Sequence, residues 1–180
     1  MATHNIFEIR KANWSDDSII RPFKEAADLD NGNVVVMGVQ STTAGELEVW
    51  EVSQPVTGSL TDLWFVAEPE YPAIVTGSGM TLRGEDEDVR QWYVPSGKVG
   101  TARKAKVGDI VVMTDDGLAG TKNANTFVVA TNASYKLTWA AAAITGLSLK
   151  LLETTFITIP DGSIGLGTRV VAYKFEVVAN

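Results

Sequence analysis

The chain has no cysteine and only one histidine, His4, in 180 residues. Without thiols there is no disulfide framework, no thiolate zinc site and no cysteine nucleophile. His4 sits among the first few residues, where chains commonly fray, so neither a Ser-His-Asp triad nor a two-histidine metal site is available. The expectation is therefore a non-enzymatic protein with no catalytic residues, no cofactor and no metal. Long apolar runs are also missing. The nearest, Trp139 to Leu152, is broken by Thr145, Gly146, Ser148 and Lys150, whereas a membrane-spanning helix needs roughly 20 apolar residues. Met1 to Arg10 lack the basic start and apolar stretch of a secretory signal, so the product is expected to remain where it is synthesised. Basic residues are outnumbered, 15 Lys and Arg against 22 Asp and Glu, for a net charge of -7. That field repels nucleic acid and anionic lipid, so neither is expected as a partner.

What is present is a strand pattern from end to end: β-branched and aromatic clusters separated by Gly, Pro, Asn and Asp. Tyr135, Leu137 and Trp139 alternate with polar residues, as do Val171, Tyr173, Phe175 and Val177, so each set predicts one buried face. Val34 to Met37, Ile110 to Met113 and Phe127 to Ala130 are apolar on both faces, as in strands held between two layers. Leu47 to Val52 and Leu63 to Ala67 predict a hairpin that brings Trp50 opposite Trp64. Pro22 to Asp28 has the composition of one or two helical turns, with Pro22 at the first position. Ala140 to Ile144 is expected to be strand or a short turn. The fold class predicted is all-β: a single antiparallel β-barrel or β-sandwich domain with at most one or two short helices. Residues 1–20 form an N-terminal arm or first strand and residues 21–180 the barrel or sandwich. Thr76 to Asp88 reads as an exposed acidic loop, with a subdomain boundary near 76–88 as the lesser alternative.

Few segments carry a chemical signature. Asp28 to Gly32 superficially resembles a calcium loop, but its Gly is fifth and the twelfth position is Val39, which leaves no closing carboxylate. An Asn31-Gly32 turn feeding a strand accounts for the same residues. The run Glu85 to Asp88 reads as a solvated loop rather than a cation site. Gly77-Ser78-Gly79 and Pro95-Ser96-Gly97-Lys98 lack phosphate-loop spacing and read as turns. Arg103, Lys104 and Lys106 are either a charge-protected edge strand or a patch for an acidic protein surface. Of five tryptophans, Trp139 belongs to the core pattern and Trp14, in a polar segment, is the candidate interface anchor. Ile6, Phe7 and Ile9 precede it, so the segment Ile6 to Trp14 is either an interfacial arm that adds to a neighbouring sheet edge or an ordinary first strand.

Three segments together resemble the head-decoration, or capsid-cement, proteins of tailed bacteriophages. Ala26-Ala27-Asp28-Leu29-Asp30-Asn31-Gly32 leads into Val34 to Met37. Val94 to Val99 is followed by Arg103-Lys104-Ala105-Lys106-Val107-Gly108-Asp109-Ile110. Glu153 to Phe156 and Arg169 to Val178 resemble a closing hairpin. The resemblance implies a virion protein, made in the host bacterial cytoplasm, that binds the outer capsid surface through the major capsid protein and copies of itself. The resemblance transfers no set of binding residues; the apolar N-terminal segment and the basic cluster themselves make Ile6, Phe7, Ile9, Trp14, Arg103, Lys104 and Lys106 the expected interface residues. The alternatives are a head fibre or tail protein, or a carbohydrate-binding or adhesin-like module using Trp14, Trp50, Trp64 or Trp92.

Overall fold

Alternation and turn chemistry divide the chain into short strands, and the computed structural model describes residues 4–13, 19–67, 73–76, 79–82, 90, 92–159 and 167–180. Among these the protein is all-β, and no helix reaches seven residues. The strands in chain order are β1 (Phe7–Lys11), β2 (Ile20–Lys24), β3 (Val34–Gln40), β4 (Trp50–Ser53), β5 (Trp64–Val66), β6 (Ala73–Thr76) and β7 (Gly79–Leu82). There follow β8 (Val99–Lys104), β9 (Ile110–Thr114), β10 (Leu118–Ala119), β11 (Phe127–Val129), β12 (Leu137–Ala140), β13 (Ser148–Ile159) and β14 (Thr168–Ala179). Strands β2-β4-β3-β5-β8 close a barrel, β1-β9-β14-β13-β11-β12-β10 form a seven-stranded sheet, and β6 pairs with β7. Most pairings are antiparallel, but β2 with β4 and β10 with β12 run parallel.

Side-chain alternation builds three apolar layers from this arrangement. Inside the barrel lie Phe23, Val35, Val52, Trp64, Val66 and Ala102, joined by Leu29 and Val94 from flanking segments. The intervening residues Val34 and Phe65 point out of the barrel and pack with Met113, Leu137, Trp139, Leu149, Phe175 and Val177 of the sheet. Barrel and sheet thus share one core. On the far face of the sheet, Ile6 and Val112 pack with Ile157, Ile159 and Ala172. The periodic faces read from Leu137, Trp139, Tyr173, Phe175 and Val177 are those that fill the shared core.

Polar clamps tie the segments together. The Asn31-Gly32 turn precedes β3, with Gly32 at φ 81°. The side chain of Asn5, 1% exposed, donates through Nδ2 to the Asn31 carbonyl at 2.6 Å. Its Oδ1 accepts from the Thr114 amide at 3.0 Å and the Thr114 hydroxyl at 2.9 Å. Asn180 acts like a strand residue: its side chain accepts from the Leu63 amide at 2.9 Å and donates to the Leu63 and Ala105 carbonyls at 3.0 and 2.8 Å. Asp109, buried in the turn before β9, accepts from the amides of Asn13 and Lys106.

Several expectations are corrected. The segment from Pro22 is not helical: β2 runs through Lys24 and places Phe23 fully inside the barrel. Burying that ring contributes about 1.5–3 kcal/mol, more than the per-residue helix preferences of the segment. Pro22 lies one residue before the pairing with β4 begins, where β2 has β8 as its one neighbour and a missing amide hydrogen is tolerated. The two strands around Pro55 do not form a hairpin, because β3 lies between β4 and β5. Part of the segment read as an acidic loop is strand β7, and Glu85 to Asp88 lie outside the described residues. Ala140 ends β12 and residues 141–147 turn into β13.

Candidate functional site

The barrel is layered by its own alternation. One residue from each strand, Phe23, Val35, Val52, Val66 and Ala102, forms its apolar interior. Two positions along each strand toward one end stand Arg21, Met37, Trp50, Trp64 and Lys104. These five side chains form a mouth of two indoles, two cations and a thioether. The Arg21 guanidinium carbon lies 4.0 Å from the centroid of Trp50 and 5.2 Å from that of Trp64. The Lys104 ammonium lies 5.9 Å from the Trp64 ring and pairs with the Asp62 carboxylate. Asp62 is 71% exposed and takes a positive φ of 61°, a conformation that Asp tolerates better than most residues. No carboxylate among the described residues pairs with Arg21.

A second surface arises from the length of β13 and β14. They pair from Ser148↔Ala179 to Ile159↔Thr168, with register shifts at Ser148/Leu149 and Leu151/Glu153. In the first half, Leu149, Tyr173, Phe175 and Val177 face the shared core. In the second half the same face carries the pairs Thr154↔Tyr173, Phe156↔Val171 and Thr158↔Arg169. Here the barrel no longer covers it: Phe156 is 49% exposed and Val171 41%. The Arg169 guanidinium lies 4.4 Å from the Phe156 ring centroid. The opposite face of this half remains buried through Ile157, Ile159 and Ala172.

Outside the barrel, a cleft of about 360 Å³ is lined by Lys24, Glu25, Ser41, Thr43, Glu46 and Glu51 among others. Its cation is matched, since Lys24 Nζ donates to both Glu46 oxygens at 2.9 and 3.0 Å. Among the described residues no group of three His, Asp or Glu side chains is placed to hold a metal ion. His4 is tied down rather than frayed: its ring stacks on Tyr93 at 4.6 Å and Nδ1 lies 2.5 Å from Asp30 Oδ1.

The expected interface residues are scattered. Ile6 and Phe7 are buried in the chain's own cores, and Ile9 packs partly against one of them. Phe7 and Ile9 belong to a first strand, β1, paired with β9, and Ile6 directly precedes it; the burial of Ile6 and Phe7 removes them from reach of a partner. Trp14 lies outside the described residues. Strand β8 is not an edge, since it pairs with both β2 and β5. Arg103 and Lys104 are consecutive on it and so point to opposite faces. Lys106 lies beyond it in the Asp109 turn, so the three do not form one patch. Trp64, 3% exposed, and the buried Trp139 offer no face to a sugar, and one face of Trp50 is taken by Arg21. Sequence reasoning missed Arg21 because a helix was expected to start at Pro22, which hid the strand that begins at Ile20; its alternation with Phe23 is the signal that marks it. It also assigned Val171 wholly to the core face, because alternation does not show where the covering layer ends.

Two tyrosines carry perturbed acidity. Tyr135 is pushed up to about 12, by burial first and then by the Glu25 carboxylate, which also accepts its hydrogen bond. Tyr173 is raised by burial and by Asp115. The folded protein therefore holds the Tyr135 proton above the ordinary value of 10.0, and the associated stability is complete below that pH and lost as pH rises through about 12. In urea titrations, the stability advantage of the wild type over Tyr135→Phe is expected to shrink between pH 9.5 and 12. A constant difference would show that the phenol's proton is not linked to folding.

Comparison with protein-family models, curated proteins and solved structures finds no match to this chain.

Proposed function

We propose that the protein is a non-enzymatic structural component that works by association, coating the outer surface of a phage capsid. The carrying observation is the Phe156–Val171 pair, an apolar continuation of the core face left open on the outer half of the β13–β14 hairpin. A face that packs like a core along one half is already shaped to pack against another surface along the other. The opposite face of that half is buried, which gives the contact a firm backing. Repetition over a symmetric lattice multiplies modest contacts into retention by avidity. The capsid itself, its major capsid protein as partner and the virion as location rest on the resemblance of the three segments named above.

Sedimentation with purified heads lacking the protein tests this. The wild type is expected to co-sediment and saturate. Phe156→Ser with Val171→Ser is expected to lower retention at least tenfold while keeping the far-ultraviolet circular dichroism of the wild type. Failure of the wild type to bind heads, with retention of specific glycans on an array, would reverse the reading.

A further inference from the structure

We infer that the barrel mouth is a docking site for an acidic protein segment, with an Asp or Glu carboxylate of the partner bound by Arg21. The guanidinium lies over the Trp50 ring and near Trp64, yet no hydrogen bond or ion pair engages it among the described residues. A methionine would fill the same space; an arginine adds five N–H donors in a fixed fork suited to a carboxylate. Charge supports the same occupant. Two cations, Arg21 and Lys104, lie within 6 Å of the Trp64 ring, and among the described residues Asp62, paired with Lys104, is the one carboxylate engaged there. Among the described residues one positive charge is thus left without an ion-pair partner, in a protein of net charge -7. A single surplus charge suits a carboxylate better than a dianionic phosphate, and the overall field disfavours nucleic acid. Exposed Ile20 and Val39 lie at the same end of the barrel, where β2 begins and β3 ends. A polypeptide flanking the carboxylate has apolar groups to meet them. A Trp and Arg centre with apolar surroundings is the composition of an interface hot spot.

The proposal rests on the mouth alone and does not depend on the hairpin face. The test is titration of the whole protein with hexaglutamate, followed by calorimetry and tryptophan fluorescence at low and moderate salt, with tetragalacturonate as the comparison. Saturable binding of hexaglutamate is expected, despite its like charge, and is expected to weaken with salt. Arg21→Gln is expected to lower affinity at least tenfold, Arg21→Lys less, and Phe156→Ser not at all. Lys104→Gln, altering a residue nearer the rim, is expected to weaken binding severalfold and decides the matter if Arg21→Gln unfolds. No saturable binding, or equal binding by the Arg21 and Lys104 variants, would overturn the site. Preference for tetragalacturonate would overturn the partner.

Discussion

Asn5→Ala is expected to lower the free energy of unfolding by about 3 kcal/mol, the loss of three hydrogen bonds at a buried position. Its side chain joins the Asn31 carbonyl, ahead of the barrel strand β3, to Thr114 at the end of β9 in the sheet. Gly117 packs directly on it: a Cβ there would stand 2.3 Å from Asn5 Cγ and Nδ2. The Asn5 amide is fixed at both ends by hydrogen bonds, so it cannot retreat without breaking them. Gly117→Ala is therefore expected to cost about 3 kcal/mol as well, at the upper end of overpacking penalties. In the Asn5→Ala background the obstruction is gone, and Gly117→Ala is expected to cost much less. Urea midpoints of the two single variants and the double variant complete the cycle. Additive costs would mean that the glycine and the amide do not share one site.

Phe65→Ala is expected to lower stability by about 3–5 kcal/mol, the range for truncating a buried phenylalanine. Phe65 sits on β5 between Trp64 and Val66, which face the barrel interior, and its own ring reaches the shared core 5.2 Å from that of Phe7. The cavity would open at the join of barrel and sheet, so both bodies lose packing together. A single transition, displaced equally for near-ultraviolet signals and far-ultraviolet signals, is expected. Two separated transitions would show that the barrel and the sheet unfold as independent units.

The residues that were legible in the sequence are those whose environment is set by neighbours one or two positions away. Leu137 and Trp139, or Tyr173 and Phe175, alternate cleanly because one face of each strand is buried, and the Asn31-Gly32 turn carries its own backbone preference. Val34 and Val35 disclosed two layers because both faces are covered, one by the sheet and one by the barrel interior. Phe23 was hidden because Lys24, Glu25, Ala26 and Ala27 favour a helix locally, and burial in a closed barrel outweighed that preference. The mouth was beyond a linear reading for a different reason. Arg21, Trp50, Trp64 and Lys104 come from four strands, and Trp50 and Trp64 are separated in the barrel by β3. They meet through a cation contributed by a strand that precedes both. Pairing order is a property of the whole barrel, and alternation along one strand assigns faces without assigning neighbours.

The position of β14 in the sheet sets an order on folding. It is the last strand in the described chain but lies third in the sheet, between β9 and β13. All five barrel strands are complete by Lys104, so that body has its full set of pairings before most of the sheet has left the ribosome. Among the described residues, the pair β1–β9 and the group β13-β11-β12-β10 share no strand pairing until residues 168–179 arrive. Such long-range closure is slow and leaves strand edges open while it waits. The nascent protein thus has two unfinished half-sheets beside a closed barrel, and the final strand works as the keystone that joins them.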